Sequence, residues 1–345
     1  LLEHGGSDIH LTAGSPPLMR INGKLVPVED TEPMKPAELR RMIYAILTER
    51  QRETLEEELE LDCSHPVPRN GRFRVNVFFQ RDSIGAVFRA IPSETRSLAE
   101  LGLPPIVASM ADLPRGLVLI TGPTGSGKST TLASLIDLVN QRRAVHIMTV
   151  EDPIEFLHTH KKGIVNQREV GSDTHGFSNA LRHVLRQDPD VILVGEMRDL
   201  EAIATALTAA ETGHLVFATL HTQDAPQAVD RIVDVFPPHQ QQQVRIQLAA
   251  TLQAVVTQQL VPTSDGVGRA VASEVMIATP AIRNLIREGK VHQITTAMQA
   301  GGQHGMVTMD QTLADLTKRH VISFELGLER CSNIEDFQRL VGRVG

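Results

Sequence analysis

One string constrains this chain more than any other. Gly122-Pro123-Thr124-Gly125-Ser126-Gly127-Lys128-Ser129 follows the apolar run Leu117-Val118-Leu119-Ile120 and opens a segment that reads as a helix. Glycines at that spacing let successive backbone N–H groups turn inward around an anion, and the helix N-terminus adds the positive end of its dipole. The full motif in a strand–loop–helix context predicts phosphate binding and weighs against a chance glycine-rich turn. In that reading Lys128 reaches the β- and γ-phosphates of ATP, the Ser129 hydroxyl ligates Mg2+, and Thr130 stands beside it in the first turn. The strand before the loop is wholly apolar. Val145-His146-Ile147-Met148, Val191-Ile192-Leu193-Val194 and Leu215-Val216-Phe217-Ala218 are of the same kind. Near-continuous runs of this sort belong to a parallel sheet covered on both faces.

A phosphate loop of this type needs an acid at the end of a partner strand. Gly195-Glu196 follows the run Val191–Val194, and a glutamate there can hold Mg2+ through water or position the attacking water. After the run that begins at Val145 comes Glu151-Asp152-Pro153-Ile154-Glu155, three carboxylates in five residues. The C-terminal edge of a sheet strand is where ligands bind in open α/β folds, so one of these carboxylates could polarise water. An acidic surface turn is the plain alternative. His214 and His221 flank the run Leu215–Leu220. Both stand at the ends of that strand, and read alone they are structural histidines, although imidazole can hydrogen-bond phosphate or water. Neither is paired with cysteines at ligand spacing, which disfavours zinc.

The first hundred residues have a different texture. Leu18-Met19-Arg20-Ile21, Asn22-Gly23 and Lys24-Leu25-Val26 form a hairpin signal, because Asn-Gly tolerates the positive φ of a type I′ turn. Leu39, Met42, Ile43, Ile46 and Leu47 recur at helical spacing. Phe73 to Phe79 and Ile84 to Phe88 alternate as two antiparallel strands. Arg74, Arg81 and Arg89 are read onto these strands. The stretch 101–115 contains Pro104, Pro105 and Pro114 and reads as a linker. From about Asp230 the chain reads mostly helical, and after Cys331 it is weakly patterned and expected to fray.

Composition narrows the function. With 41% hydrophobic and 22% charged residues the chain is of the ordinary globular class. No run approaches the roughly 18 apolar residues of a membrane helix. The best late segment, Leu248 to Leu260, is broken by Gln253, Gln258 and Gln259. No signal peptide is read at the start, where Leu1 stands in place of a methionine. Two cysteines, Cys63 and Cys331, exclude a disulfide scaffold and fit a reducing cytoplasm. A net charge of −7, no Trp and a single Tyr count against a nucleic-acid motor, which needs a basic channel and stacking rings.

Taken together, these strings resemble the hexameric motor ATPases of type IV pili and type II secretion. Thr-Val-Glu-Asp-Pro-Ile-Glu155 is similar to the family's Asp box, Val-Gly-Glu196-Met-Arg198-Asp199 to its Walker B segment, and Gly213-His214-Leu-Val-Phe-Ala-Thr219-Leu-His221-Thr222 to its His box, in the family's order. The resemblance implies an N-terminal PAS-like mixed α/β domain over residues 1–100. A linker (101–115) and a RecA-like P-loop ATPase domain with a helical C-terminal part (116–345) follow it. It also implies Glu155 as the catalytic base, with Glu196, His214 and His221 as further catalytic groups. ATP and Mg2+ are the expected ligands, with Ser129 and Glu196 at the metal. Ring ATPases of this kind supply an arginine from a neighbouring subunit, and Arg74, Arg81, Arg89 and Arg231 are the residues available for it.

The chain lacks the longer N-terminal region and the four-cysteine insertion of the extension and type II secretion members, so it resembles the short, pilus-retraction type. Ala281-Ile282-Arg283-Asn284-Leu285-Ile286-Arg287-Glu288-Gly289-Lys290 looks like the signature tied to retraction. It should form an amphipathic helix with Ile282, Leu285 and Ile286 inward and Arg283, Arg287 and Lys290 outward. The implied partners are five further copies in a homo-hexamer, an inner-membrane platform protein and, indirectly, pilin, with no nucleic acid. The implied location is the cytoplasm, at the cytoplasmic face of the inner membrane. An accessory retraction paralogue, or a nucleic-acid translocase with a similar core, remains the alternative.

Overall fold

The computed structural model describes residues 1, 6–21, 23–67 and 71–342. The chain divides into two compact units, Leu1–Glu94 and Thr95–Gly345.

The first unit runs β1 (Asp8–Thr12), β2 (Leu18–Ile21), β3 (Lys24–Pro27), α1 (Pro36–Ile46), α2 (Glu49–Glu58), β4 (Glu60–Val67), β5 (Gly71–Gln80) and β6 (Ser83–Ile91). The strands form one sheet in the order β3-β2-β1-β6-β5-β4, antiparallel at every pairing. Alternation along β5 and β6 puts Val75, Val77, Ile84 and Ala86 on the face that packs with Leu39 and Ile43 of α1 and Leu55 of α2. Met42, expected inward, is 45% exposed; the buried stripe of α1 is narrower than its apolar residues suggest. The expected β2–β3 hairpin forms, with Gly23 at φ 81°; Asn22 lies outside the described residues. Thr48 starts α2 with a capping box to Gln51.

The second unit runs α3 (Pro105–Ser109), β7 (Gly116–Thr121), α4 (Lys128–Arg142), β8 (His146–Glu151), β9 (Ile164–Glu169), α5 (Phe177–Val184), β10 (Val191–Val194), α6 (Leu200–Glu211) and β11 (Leu215–Leu220). It continues through α7 (Ala225–Asp234), α8 (Pro238–Thr251), β12 (Leu252–Pro262), β13 (Arg269–Ile277), α9 (Pro280–Arg287), α10 (Ile294–Gln299), α11 (Met309–Lys318), α12 (Phe324–Arg330) and α13 (Ile334–Val341). Its seven strands are ordered β13-β12-β7-β11-β10-β8-β9. They are parallel except for β13, which returns antiparallel to β12. One face packs on α3 and α4, the other on α5 to α10. All four apolar runs of the sequence are strands of this sheet.

Two expectations are corrected and a third is refined. Residues 101–115 are no free linker: Leu103, Val107, Met110 and Ala111 are buried in the core beneath α4. The region after Asp230 is mostly helical, as expected, but holds one pair of strands. Leu252–Pro262 and Arg269–Ile277 extend the sheet, and Gln253 and Gln258, which look like interruptions of an apolar helix, are strand residues with partners of their own. Among the described residues the segment after Cys331 does not fray but forms α13. Asp310 accepts hydrogen bonds from the Ser332 and Asn333 amides at 2.7 and 3.0 Å, Asn333 caps α13, and Phe337 is fully buried.

Candidate functional site

Because β7, β11, β10 and β8 are adjacent and parallel, the loops that follow them leave the sheet at one edge. The phosphate loop, His221, Glu196 and the Glu151–Glu155 turn therefore gather there. Topology assembles the site, since these residues lie far apart in sequence.

The loop's own geometry explains its glycines. Gly122 stands at φ 138°, and a Cβ on it would lie 2.2 Å from the Gln258 carbonyl oxygen. Gly127 at φ 89° is the residue before α4, whose N-terminus has no side-chain cap, so its first amides are left for a ligand. Ser129 is exposed in the first helical turn and Thr130 half-buried beside it, while Pro123, Thr124 and Gly125 form the exposed crown. The Ser126 Oγ is buried without a hydrogen-bond partner among the described residues. A glycine cradle, an uncapped helix start and an unpartnered hydroxyl fit a phosphate group. The Ser129 hydroxyl and Glu196 carboxylate are the oxygen donors that a hard cation such as Mg2+ takes.

Lys128 is buried, and its Nζ donates to the carbonyls of Gly122 (2.8 Å) and Pro123 (3.0 Å). Burial pulls its pKa below the usual lysine value, with the Glu196 charge acting in the opposite sense. The same Nζ lies 3.5 Å from Nδ1 of His221, and Nε2 of His221 lies 3.2 Å from Glu196. The ammonium beside Nδ1 and the carboxylate beside Nε2 favour a proton on Nε2, which donates to Glu196. Glu196 is paired on its other oxygen with Arg198 at 2.7 Å. Burial alone would raise its pKa, but Arg198 and His221 overcome that and hold the carboxyl below its ordinary value. Lys128, His221, Glu196 and Arg198 thus form one continuous polar chain.

Glu155 is exposed on the loop after β8, with its backbone N–H 3.5 Å from Glu151 Oε2. The loop is held by Glu151, itself one of the three carboxylates of the turn, and by Glu169, which the sequence does not single out. Glu151 accepts from Thr149 Oγ1 at 2.6 Å and Gln167 Nε2 at 3.2 Å, and burial pushes its pKa up. Glu169, which is buried where Glu151 is half-buried, accepts the Ile154 amide at 3.1 Å. The one signal for Glu151 lay in Thr149, two residues before it on the same side of an otherwise apolar strand.

His214 does not join the site within one chain. It precedes β11, its carbonyl accepts the amide of Gly116 at the start of β7, and its Nδ1 meets the Ala209 carbonyl at 3.0 Å. It stands at the opposite edge of the sheet, a strand of six residues away, about 20 Å. The arginines are scattered likewise. Arg74 and Arg89 are exposed cross-strand neighbours on β5 and β6, and Arg89 pairs with Asp8 at 2.7 Å. Arg81 lies in the turn between those strands at φ 43°, not on a strand. Arg231 is exposed on α7.

The string 281–290 forms α9 and the turn after it, with Ile282 and Ile286 fully buried and Leu285 packed at the margin. Arg287 and Lys290 are exposed as expected. Arg283 is not. Its guanidinium donates to the Ala249 and Ala250 carbonyls at 2.5 and 3.0 Å and to Gln253 Oε1 at 3.2 Å, closing the C-terminus of α8. Among the described residues no helix is long and apolar enough to cross a membrane.

Known proteins bear the same plan. Residues 2–320 match the family described as type II/IV secretion system protein. The chain is 52% identical to the type IV pilus retractation ATPase PilT of Pseudomonas aeruginosa over 335 residues, 97% of each chain. It is 50% identical to a twitching motility protein of Neisseria gonorrhoeae, covering 92% of this chain and 85% of that one. The crystal structure of the pilus retraction motor PilT with bound ADP superposes with a TM-score of 0.91 at 50% identity, covering 98% and 96% of the two chains. The second unit is therefore a RecA-like ATPase domain preceded by a mixed α/β domain, and this chain belongs to the type II/IV secretion ATPase family.

Proposed function

We propose that this chain is the motor ATPase of type IV pilus retraction, working as a ring of six that acts on a membrane platform protein and, through it, on pilin. The observation that carries the reading is the polar chain Lys128–His221–Glu196 at the mouth of the phosphate cradle. Lys128 exchanges its carbonyl partners for phosphate oxygens and offsets their charge. His221, protonated at Nε2 and bonded to Glu196, presents Nδ1 to the lysine and reports its position. Glu155, exposed on its loop, takes the proton of the attacking water. Ser129 and Glu196 would hold Mg2+, which would supply further charge compensation on the phosphates. Arg74, Arg81, Arg89 and Arg231 are the arginines available to a neighbouring subunit's nucleotide. The work is done at the cytoplasmic face of the inner membrane.

Two variants test the reading at its two levels. Lys128→Ala should abolish ATP turnover, and near-normal hydrolysis with Mg2+ would overturn the assignment of the site. Replacing the exposed Arg287 and Lys290 by Ala should leave a stable ring that hydrolyses ATP in solution, yet cells carrying it should not retract pili. Retraction at the normal rate would refute the role given to 281–290.

A further inference from the structure

Gln258 looks at first like a defect. It interrupts an apolar segment, and it lies on β12, a strand with no role in the nucleotide motifs. Yet it is 1% exposed, and both ends of its carboxamide are used. Nε2 donates to the Ser126 carbonyl in the phosphate loop at 2.8 Å, and Oε1 accepts from Thr131 Oγ1 in the first turn of α4 at 2.9 Å. Its backbone carbonyl fills the space a Cβ would need at Gly122, and its Nε2 lies 3.0 Å from where one would stand at Gly127. Next to it, Thr257 and Thr121 share a buried hydroxyl bond of 2.8 Å. One residue of β12 therefore touches the loop at its first glycine, at Ser126 and Gly127, and just beyond Lys128.

We propose that Gln258 is a nucleotide-positioning residue, whose carboxamide bolts the phosphate loop to the helix behind it and so presets the spacing of the amides that receive the phosphates. A glycine-rich loop has the largest backbone freedom to lose on binding. A loop already fixed through Ser126 and Thr131 has lost that freedom before the ligand arrives, which is the gain of preorganisation. Aspartate or asparagine would be one methylene too short to bridge both partners, and an apolar residue would leave the Ser126 carbonyl without its donor. The inference rests on the reading of residues 122–130 as the phosphate site.

The experiment is titration of the purified full chain with fluorescent ADP and Mg2+, beside steady-state ATPase kinetics. Gln258→Leu, close in size, should weaken ADP binding about tenfold. It should raise the KM for ATP by more than it lowers kcat, because the lost interaction serves ground state and transition state alike. Thr131→Val, which removes one end of the bridge only, should show the same split at a smaller size. Thermal midpoints of the ligand-free proteins separate this from general destabilisation. If Gln258→Leu does not fold, Thr131→Val must carry the effect, and wild-type affinity in that variant overturns the proposal. Wild-type affinity in a folded Gln258→Leu overturns it outright. Lys128→Ala stands as the check on the site itself: ADP binding unchanged there would sink the phosphate-loop reading, whereas failure confined to the Gln258 and Thr131 variants leaves that reading intact.

Discussion

Replacing Arg283 by alanine should destabilise the ATPase unit, although its place in a basic amphipathic helix marks it as a surface charge. Its guanidinium holds two carbonyls of the last turn of α8 and the side chain of Gln253 at the start of β12. Burial pulls its pKa down, with the nearby Arg287 charge acting in the same direction, so the group bears a desolvation cost that its bonds must exceed. A hydrogen bond from a charged donor contributes about 1.5–3 kcal/mol, and a cation at a helix C-terminus about 0.3–1 kcal/mol. Water reaches part of the site and recovers some of this, leaving a net loss of about 2 kcal/mol. For a unit of this size that lowers the melting midpoint by about 4–8 °C. Arg287→Ala and Lys290→Ala remove exposed groups and should each cost no more than about 0.5 kcal/mol. Differential scanning of the three variants, without nucleotide, decides the matter. Equal midpoints for Arg283→Ala and Arg287→Ala would refute the capping argument.

Three further outcomes are expected. Glu155→Gln should block single-turnover hydrolysis while ATP binding persists, whereas Glu196→Gln should also weaken the Mg2+ dependence of binding; isotherms beside quenched-flow rates distinguish them, and equal loss of binding would remove Glu155 as base. If an arginine of the set Arg74, Arg81, Arg89 and Arg231 acts across a subunit boundary, rings mixed from an arginine variant and Lys128→Ala should regain activity where two intact halves meet, and no recovery after proven subunit exchange would count against it. Glu274, buried in β13, accepts the amides of Ala225 and Met309 at the starts of α7 and α11, and burial pushes its pKa up to about 7. The folded state then binds the proton that the unfolded chain releases near the ordinary value of 4.5. Its contribution is full below that value and is lost as pH rises through about 7, a swing of about 3 kcal/mol. Denaturation midpoints between pH 5 and 8 should fall more steeply in the wild type than in Glu274→Gln, and parallel curves would contradict the shift.

Much of the second unit was legible because its signals are local. A buried parallel strand must be apolar throughout, and a phosphate loop must be rich in glycine, so Leu117–Ile120 and Gly122–Ser129 announce themselves. Strand direction was legible too, though its consequence was missed. In a parallel sheet ligands bind beyond the C-terminal ends of the strands, so His221 after β11 lies at the edge of the phosphate loop and His214 before it lies at the opposite edge. What stayed hidden are residues whose partners are distant in sequence. Gln258 meets Ser126 and Thr131 only because β12 lies beside β7, and Arg283 is inward only because α8 ends where α9 begins. Periodicity reports which face of an element is apolar and is silent when a polar group is buried with a partner. For the same reason β12, whose Gln258 bonds the loop and whose Gln253 meets α9, read as a broken helix.

The bonds that Lys128 already makes have a consequence for what the loop accepts. Its ammonium is committed to two carbonyls of the loop that will receive the ligand, so occupancy is a change of partners and not a simple addition. Affinity then measures a difference between two sets of bonds. A neutral molecule reaching that depth offers the lysine nothing better than the carbonyls it would leave. A phosphate oxyanion does, because hydrogen bonds between two charged groups are roughly twice as strong as those to neutral acceptors. A preference for a polyphosphate tail would in this way follow from the contacts of one side chain, ahead of any recognition of the base or sugar.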